Sequence, residues 1–206
     1  MKLVLVCGPW SSGTTAVSGM LEQFGLNGLG PFFQTNDVRM KNSFESNAFR
    51  EVIDALASDE TLKLLTKPKE AVAALRDFRS RIEAQEFGAV APDETIFLKY
   101  PLSALLIPQL CRAFDARLIY VLRPMKNIEA TRVRRGWGPN FGVAGAEVLY
   151  SRMFQVLIDL PIPTLVIRYP ELLAAPVHHA KQVAVFCGLK PDAAGIEAAA
   201  QFVRRA

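Results

Sequence analysis

The chain has little of what metal, redox and nucleophilic chemistry require. Only two histidines occur in 206 residues, His178 and His179, side by side. The three cysteines, Cys7, Cys111 and Cys187, lie far apart. No spacing of Cys, His and acidic residues has the form of a metal site, so no metal is expected. The odd cysteine count and apolar neighbours predict reduced, buried thiols and a cytoplasmic protein. Long hydrophobic runs are also missing. The N-terminal apolar run is too short for a signal peptide, and nothing approaches the roughly 20 residues of a membrane span. Neither sign of charge dominates: 24 Lys and Arg against 20 Asp and Glu leave a net charge of +4. That suits an anionic ligand without arguing for nucleic acid. Internal repeats and low-complexity tracts are absent. What is left is a globular composition, 50% hydrophobic and 21% charged. It is long enough for one domain over residues 1–206 with a sizeable core.

The most informative stretch is KLVLVCGPWSSGTTAVSGMLEQF, residues 2–24. Leu3 to Cys7 is a short apolar run that predicts a buried strand. A turn of small and polar residues follows, bounded by Gly8 and Gly13. Val17, Met20, Leu21 and Phe24 then fall at i, i+3, i+4 and i+7, one face of a helix. Strand, glycine-bounded loop and helix together make a phosphate cradle, because loop N–H groups and the helix N-terminus converge on an anion. The spacing approaches a Walker A loop, but Thr14 occupies the lysine position. Ser11, Ser12, Thr14 and Thr15 leave a hydroxyl-lined cradle for phosphate or sulfate. The competing explanation is a simple helix N-cap, which the same residues favour.

Further along, residues 25–48 are polar and turn-rich and predict a long loop beside the cradle. Glu45 lies in it between Phe44 and Phe49, ahead of a helical run to Leu56. A carboxylate in the first turn of that helix would be favoured by the dipole alone. Residues 58–91 predict a helix with Leu75, Phe78 and Ile82 inward and a solvated charged face. Thr95 to Tyr100 predicts a second strand ending at Lys99, and Leu102 to Phe114 a helix with Pro108 in its first turns or at a kink. Arg117 to Leu122 predicts a third strand, followed at once by Arg123. A helix from Lys126 stops at Gly136 and carries Thr131 two turns in. Residues 136–145 predict a second mobile loop, and Glu147 to Leu160 a helix with Leu149, Met153, Val156 and Leu157 inward. Thr164 to Tyr169 predicts a fourth strand, and Pro176 to Cys187 a helix stopped by Gly188. Strands alternate with helices throughout. The expected fold is therefore α/β, three layers of the P-loop type, with a mainly parallel central sheet flanked by helices. Ligands then bind past the carboxyl ends of the strands.

Four segments carry a resemblance to one family. GPWSSGTTAVSGML, residues 8–21, resembles the 5′-phosphosulfate loop of bacterial-type sulfotransferases that use 3′-phosphoadenosine-5′-phosphosulfate (PAPS). LKYPLSALLIP, residues 98–108, is similar to the Lys-x-Pro segment of bacterial members. In YVLRPMKNIEAT, residues 120–131, Arg123 and Thr131 fall where that family has an Arg and, eight residues on, a Ser binding the 3′-phosphate. VIRYPELLAAPVHHAKQVAVFCGL, residues 166–189, is like the family's Tyr-Glu-Asp-Leu strand end and following helix. The resemblance implies PAPS as co-substrate, with Ser11, Ser12, Gly13, Thr14, Thr15, Arg123 and Thr131 as its binding residues. It implies transfer of a sulfuryl group to a hydroxyl or amine on a small-molecule or glycan acceptor, with no metal, nucleic acid or membrane involved.

The sequence departs from the family at three places. Ser11 stands where the family carries Lys or Arg on the bridging oxygen; one such electrostatic donor is worth about 10²–10³ in rate. Lys99 is the candidate substitute, with a snorkelling side chain at the sheet edge as the alternative. The histidine base of many members has no counterpart, since His178 and His179 lie in the wrong segment. Glu45 resembles the Glu that follows an Asn and an aromatic in bacterial members, and is the candidate base. The family's C-terminal basic-glycine loop has no match in AAAQFVRRA. Arg204 and Arg205 are either substitutes or a frayed basic helix end, and Arg134 and Arg135 are further substitutes. Two alternatives stay open: a P-loop small-molecule kinase, and a non-catalytic nucleotide-binding module. Phe32, Phe33 and Phe44 fit either an apolar acceptor pocket or the core.

Overall fold

The computed structural model describes residues 1–35, 42–91 and 93–205, with Arg205 described by its backbone alone. The elements in order are β1 (Lys2–Cys7), α1 (Thr14–Gln23), β2 (Phe32–Gln34), β3 (Asn42–Ser46), α2 (Asn47–Leu56), β4 (Ala57–Ser58), β5 (Lys63–Leu64) and α3 (Pro68–Glu83). There follow β6 (Thr95–Lys99), α4 (Ile107–Ala113), β7 (Asp115–Leu122), α5 (Met125–Arg135), α6 (Val143–Asp159), β8 (Thr164–Arg168), α7 (Tyr169–Ala174), α8 (Pro176–Cys187) and α9 (Ala193–Arg205). The central sheet has the order β6-β1-β7-β8, and every neighbouring pair is parallel. The four expected strands are these four.

Alternation along β1 builds the layers. Leu3, Leu5 and Cys7 face a core with α2, α3, α4 and α6, where Phe49, Phe78, Leu110 and Met153 are buried. Val4 and Val6 face the opposite core with α1, α8 and α9, where Val17, Met20, Leu21, Val183 and Val203 are buried. A fully buried side chain of this size stabilises the fold by about 1.5–3 kcal/mol. Both faces being covered explains why β1 is apolar throughout rather than alternating.

The structure corrects several local expectations. The run 102–114 is not one helix. A 3-10 turn spans Pro101–Leu106 and α4 begins at Ile107, so Pro108 lies in its first turn, where the missing N–H has no partner to lose. The long loop over 25–48 contains the antiparallel pair β2–β3; its residues 36–41 lie outside the described residues. Glu45 therefore sits on β3, ahead of the Ser46 N-cap of α2, rather than in that helix's first turn. The 136–145 segment is a short 3-10 turn leading into α6. Position 145, inside that helix, requires glycine because a Cβ there would strike the carbonyl of Asn140. Leu157 is 39% exposed, so the inward face of α6 is Leu149, Met153 and Val156. The C-terminus is a packed helix, α9, whose Phe202 ring lies against Gly19 of α1. Among the described residues no helix is long and apolar enough to cross a membrane.

Candidate functional site

Four parallel strands end on one edge of the sheet, at Cys7, Lys99, Leu122 and Arg168. A cleft of about 930 Å³ opens over that edge. Ser11, Gly13, Thr14, Thr15, Glu45, Lys99, Arg123 and Thr131 all line it. Of the proposed residues only Ser12 does not: it is fully buried with its hydroxyl over Gly8, and its N–H donates to Pro9 O at 3.1 Å. Ser12 thus shapes the loop rather than facing the cleft.

Local chemistry sets the loop conformation. Ser11 has φ 64° and Gly13 φ 100°, both left-handed. Gly13 is required twice over, since that φ disfavours side chains and a Cβ would also enter the Tyr169 ring. Gly13 is also the N-cap of α1, and no side chain caps the helix. The simple N-cap explanation of this Ser/Thr-rich turn is therefore not what the structure shows. The helix end is open towards the cleft instead. The Ser11 hydroxyl is buried and has no hydrogen-bond partner among the described residues. An unpaired buried hydroxyl costs about 1–3 kcal/mol, and an anion in the cradle would satisfy it.

One end of the cleft belongs to Arg123. Its Nη1 donates to Ser11 O at 2.6 Å and lies 3.4 Å from Thr131 Oγ1. The guanidinium is 5.2 Å from the Tyr169 ring centroid. Its backbone N–H donates to the Tyr150 hydroxyl at 2.8 Å. Burial pushes that phenol up to about 12, so it stays protonated. Burial pulls the Arg123 guanidinium below its ordinary value. Arg134, Arg135, Trp10, Trp137 and Phe141 complete this end. Phe141 packs edge-on against both tryptophans, at 4.8 and 5.9 Å, and Arg135 lies 4.6 Å from the Trp137 ring centroid.

The other end is a charged cluster. Lys99 Nζ donates to Glu45 Oε1 at 2.7 Å, Ser43 O at 3.0 Å and Thr15 Oγ1 at 3.3 Å. Lys99 therefore points inward to the loop and does not snorkel. Glu45 Oε2 accepts from Arg50 Nη1 at 2.9 Å. Each Glu45 oxygen keeps a further lone pair for an incoming donor. The Arg50 guanidinium lies 4.0 Å from the Phe33 centroid and 4.9 Å from that of Tyr100. Phe44, by contrast, is core, packed on Phe32 and Phe202.

Among the cleft residues not singled out from the sequence are Tyr169 and Arg50. Tyr169 follows directly on a strand end, the same signal that selected Lys99 and Arg123. Arg50 carries no such signal, because only the β2–β3 pair brings Phe33 and Glu45 beside it. His178 and His179 meet edge-to-face on α8, ring centroids 5.4 Å apart, and do not line the cleft. Arg204 pairs with Glu197 at 2.9 Å on α9, outside the cleft lining; the Arg205 side chain lies outside the described residues. Among the described residues no cluster of three His, Cys, Asp or Glu has the arrangement of a metal site.

Residues 4–193 match the model of the sulfotransferase family. No match is found among curated proteins. Among solved structures, the sulfotransferase STF1 of Mycobacterium tuberculosis H37Rv is similar, with TM-score 0.66 and 13% identity over 97% of this chain and 70% of that one. A sugar kinase from Janibacter sp. HTCC2649 is similar with TM-score 0.51 and 16% identity, over 93% and 96%. A retinol dehydratase solved with androsterone and the inactive cofactor PAP has TM-score 0.50 and 14% identity, over 98% and 64%. At such identities these structures speak to the fold. The matched family model spans nearly the whole chain, and the chain belongs to the sulfotransferase family.

Proposed function

We propose that the protein is a PAPS-dependent sulfotransferase acting on a hydroxyl or amine of a small-molecule or glycan acceptor. The supporting observation is one cleft that joins an open phosphate cradle, an arginine–threonine pair and a lysine–glutamate pair. The chain's residues fit the nucleotide. The N–H groups and hydroxyls of Ser11, Gly13, Thr14 and Thr15 would hold the 5′-phosphosulfate. Arg123, whose fork suits a phosphate, and Thr131 would hold the 3′-phosphate. When bound, PAPS supplies an activated sulfuryl group on a stable leaving phosphate. Lys99, held 3.3 Å from Thr15 Oγ1 of the cradle, would supply through its charge the cation missing at Ser11. Glu45 accepts the proton of the acceptor hydroxyl or amine. Three free thiols are consistent with a cytoplasmic protein.

A small-molecule kinase is the second reading, favoured by the likeness to the sugar kinase fold. Thr14 in place of the Walker lysine counts against it. Calorimetric titration with 3′,5′-adenosine bisphosphate (PAP), AMP and ATP separates the two. PAP should bind selectively, and Arg123→Ala should lose about 1.5–3 kcal/mol, roughly 10- to 100-fold in affinity. Preference for ATP would favour the kinase. Equal or no binding of all three would refute the PAPS assignment.

A further inference from the structure

The inner end of the cleft carries more positive charge than its carboxylate balances. Glu45 is the only carboxylate among the described residues lining the cleft, and both Lys99 and Arg50 contact it. The two cations differ in what they have left to give. An ammonium has three donors, and Lys99 uses three, on Glu45, Ser43 and Thr15. A guanidinium has five N–H donors, and Arg50 uses Nη1 alone in a hydrogen bond among the described residues.

Arg50 is also held in position. Phe33 and Tyr100 lie 4.0 and 4.9 Å from its guanidinium carbon. Tyr100 is fixed in turn by donating its hydroxyl to Asp54 Oδ1 at 2.7 Å. The Arg50 side chain is 24% exposed and lines the cleft. A guanidinium packed between rings, with its donor edge open, binds a planar oxyanion with little entropy left to lose.

We propose that Arg50 determines acceptor specificity, and that the acceptor carries an oxyanion, such as a carboxylate, close to the group that receives the sulfuryl. The two acceptor groups lie only a few bonds apart, because Arg50 and Glu45 are in direct contact. This deepens the sulfotransferase reading and rests on it for the chemistry. The anion site itself needs only the geometry of Arg50.

The test is a matched pair of phenols, 2-hydroxyphenylacetate and its neutral amide, 2-hydroxyphenylacetamide. Each is titrated by calorimetry and saturation-transfer NMR into wild type, Arg50→Gln and Arg50→Lys, with and without PAP. Wild type should bind the carboxylate about tenfold or more tighter than the amide. Arg50→Gln should erase that preference with PAP affinity unchanged, and Arg50→Lys should keep part of it. No preference in wild type, no binding of either phenol, or a preference that survives Arg50→Gln would overturn the proposal. PAP titration of the same samples reports separately on the nucleotide site. Failure to bind PAP refutes the PAPS reading and leaves the comparison of the two phenols interpretable.

Discussion

Replacing Lys99 by methionine separates what this residue does for the fold from what it does for the reaction. The side chain is 5% exposed and makes three hydrogen bonds, one of them an ion pair of 2.7 Å. Orphaning a buried charge costs about 3–5 kcal/mol. Here Glu45 keeps Arg50 at 2.9 Å, so the loss should lie lower, about 2–3 kcal/mol, as for charged hydrogen bonds. For a chain of this length that lowers Tm by about 4–12 °C, read by circular dichroism. The rate effect should be larger. Removing a cation placed beside developing charge should cost up to about 10²–10³, read as PAP release from PAPS with an acceptor that wild type sulfates. PAP affinity should fall less than the rate, because the Arg123–Thr131 pair at the other end of the cleft is untouched. A Lys99→Met rate within a few fold of wild type would refute the electrostatic role. An unchanged Tm would refute the buried pair. In the Glu45→Gln, Lys99→Met double variant, the stability losses should fall short of additive, since the two side chains touch.

Gly13→Ala should cost about 1–2 kcal/mol for the left-handed backbone alone. Displacing the Tyr169 ring adds to this, and PAP affinity should fall with it. Wild-type Tm and affinity in this variant would contradict the close approach. The thiols should resist alkylation in the native protein. Burial pushes Cys111 to about 11, Cys187 to about 12, and Cys7 well above its ordinary value. All three are then neutral at pH 8. Iodoacetamide at that pH, followed by mass spectrometry, should label them slowly until denaturant is added. Rapid native labelling of Cys7 would place it outside the core.

Much of the fold was legible because both faces of the sheet are covered. Leu3–Cys7, Thr95–Lys99 and Arg117–Leu122 stand out as apolar runs between turn residues, and Val17, Met20 and Leu21 show the helical period plainly. The hairpin β2–β3 was not legible. Its strands are short, β3 is mostly polar, and Phe44 takes φ 57°, which no propensity anticipates. That hairpin decides the inner end of the cleft, which is why Arg50 went unseen. Lys99, Arg123 and Tyr169 obey a general rule about strand ends, whereas the Arg50 contacts exist only once the tertiary fold brings Phe33, Glu45 and Tyr100 together. Leu157 fits the inward stripe of α6 by spacing, but it lies at the edge of that stripe near the end of the helix.

The aromatic wall beside Arg123 has an optical consequence. The sequence contains two tryptophans, Trp10 and Trp137, and both line the cleft. All of the chain's indole emission therefore originates at the candidate site, with no distant fluorophore to dilute it. A purine or acceptor entering the cleft would change the surroundings of both rings at once. Quenching or spectral shift of the intrinsic fluorescence can thus follow ligand binding without a label, and stopped-flow traces would time it.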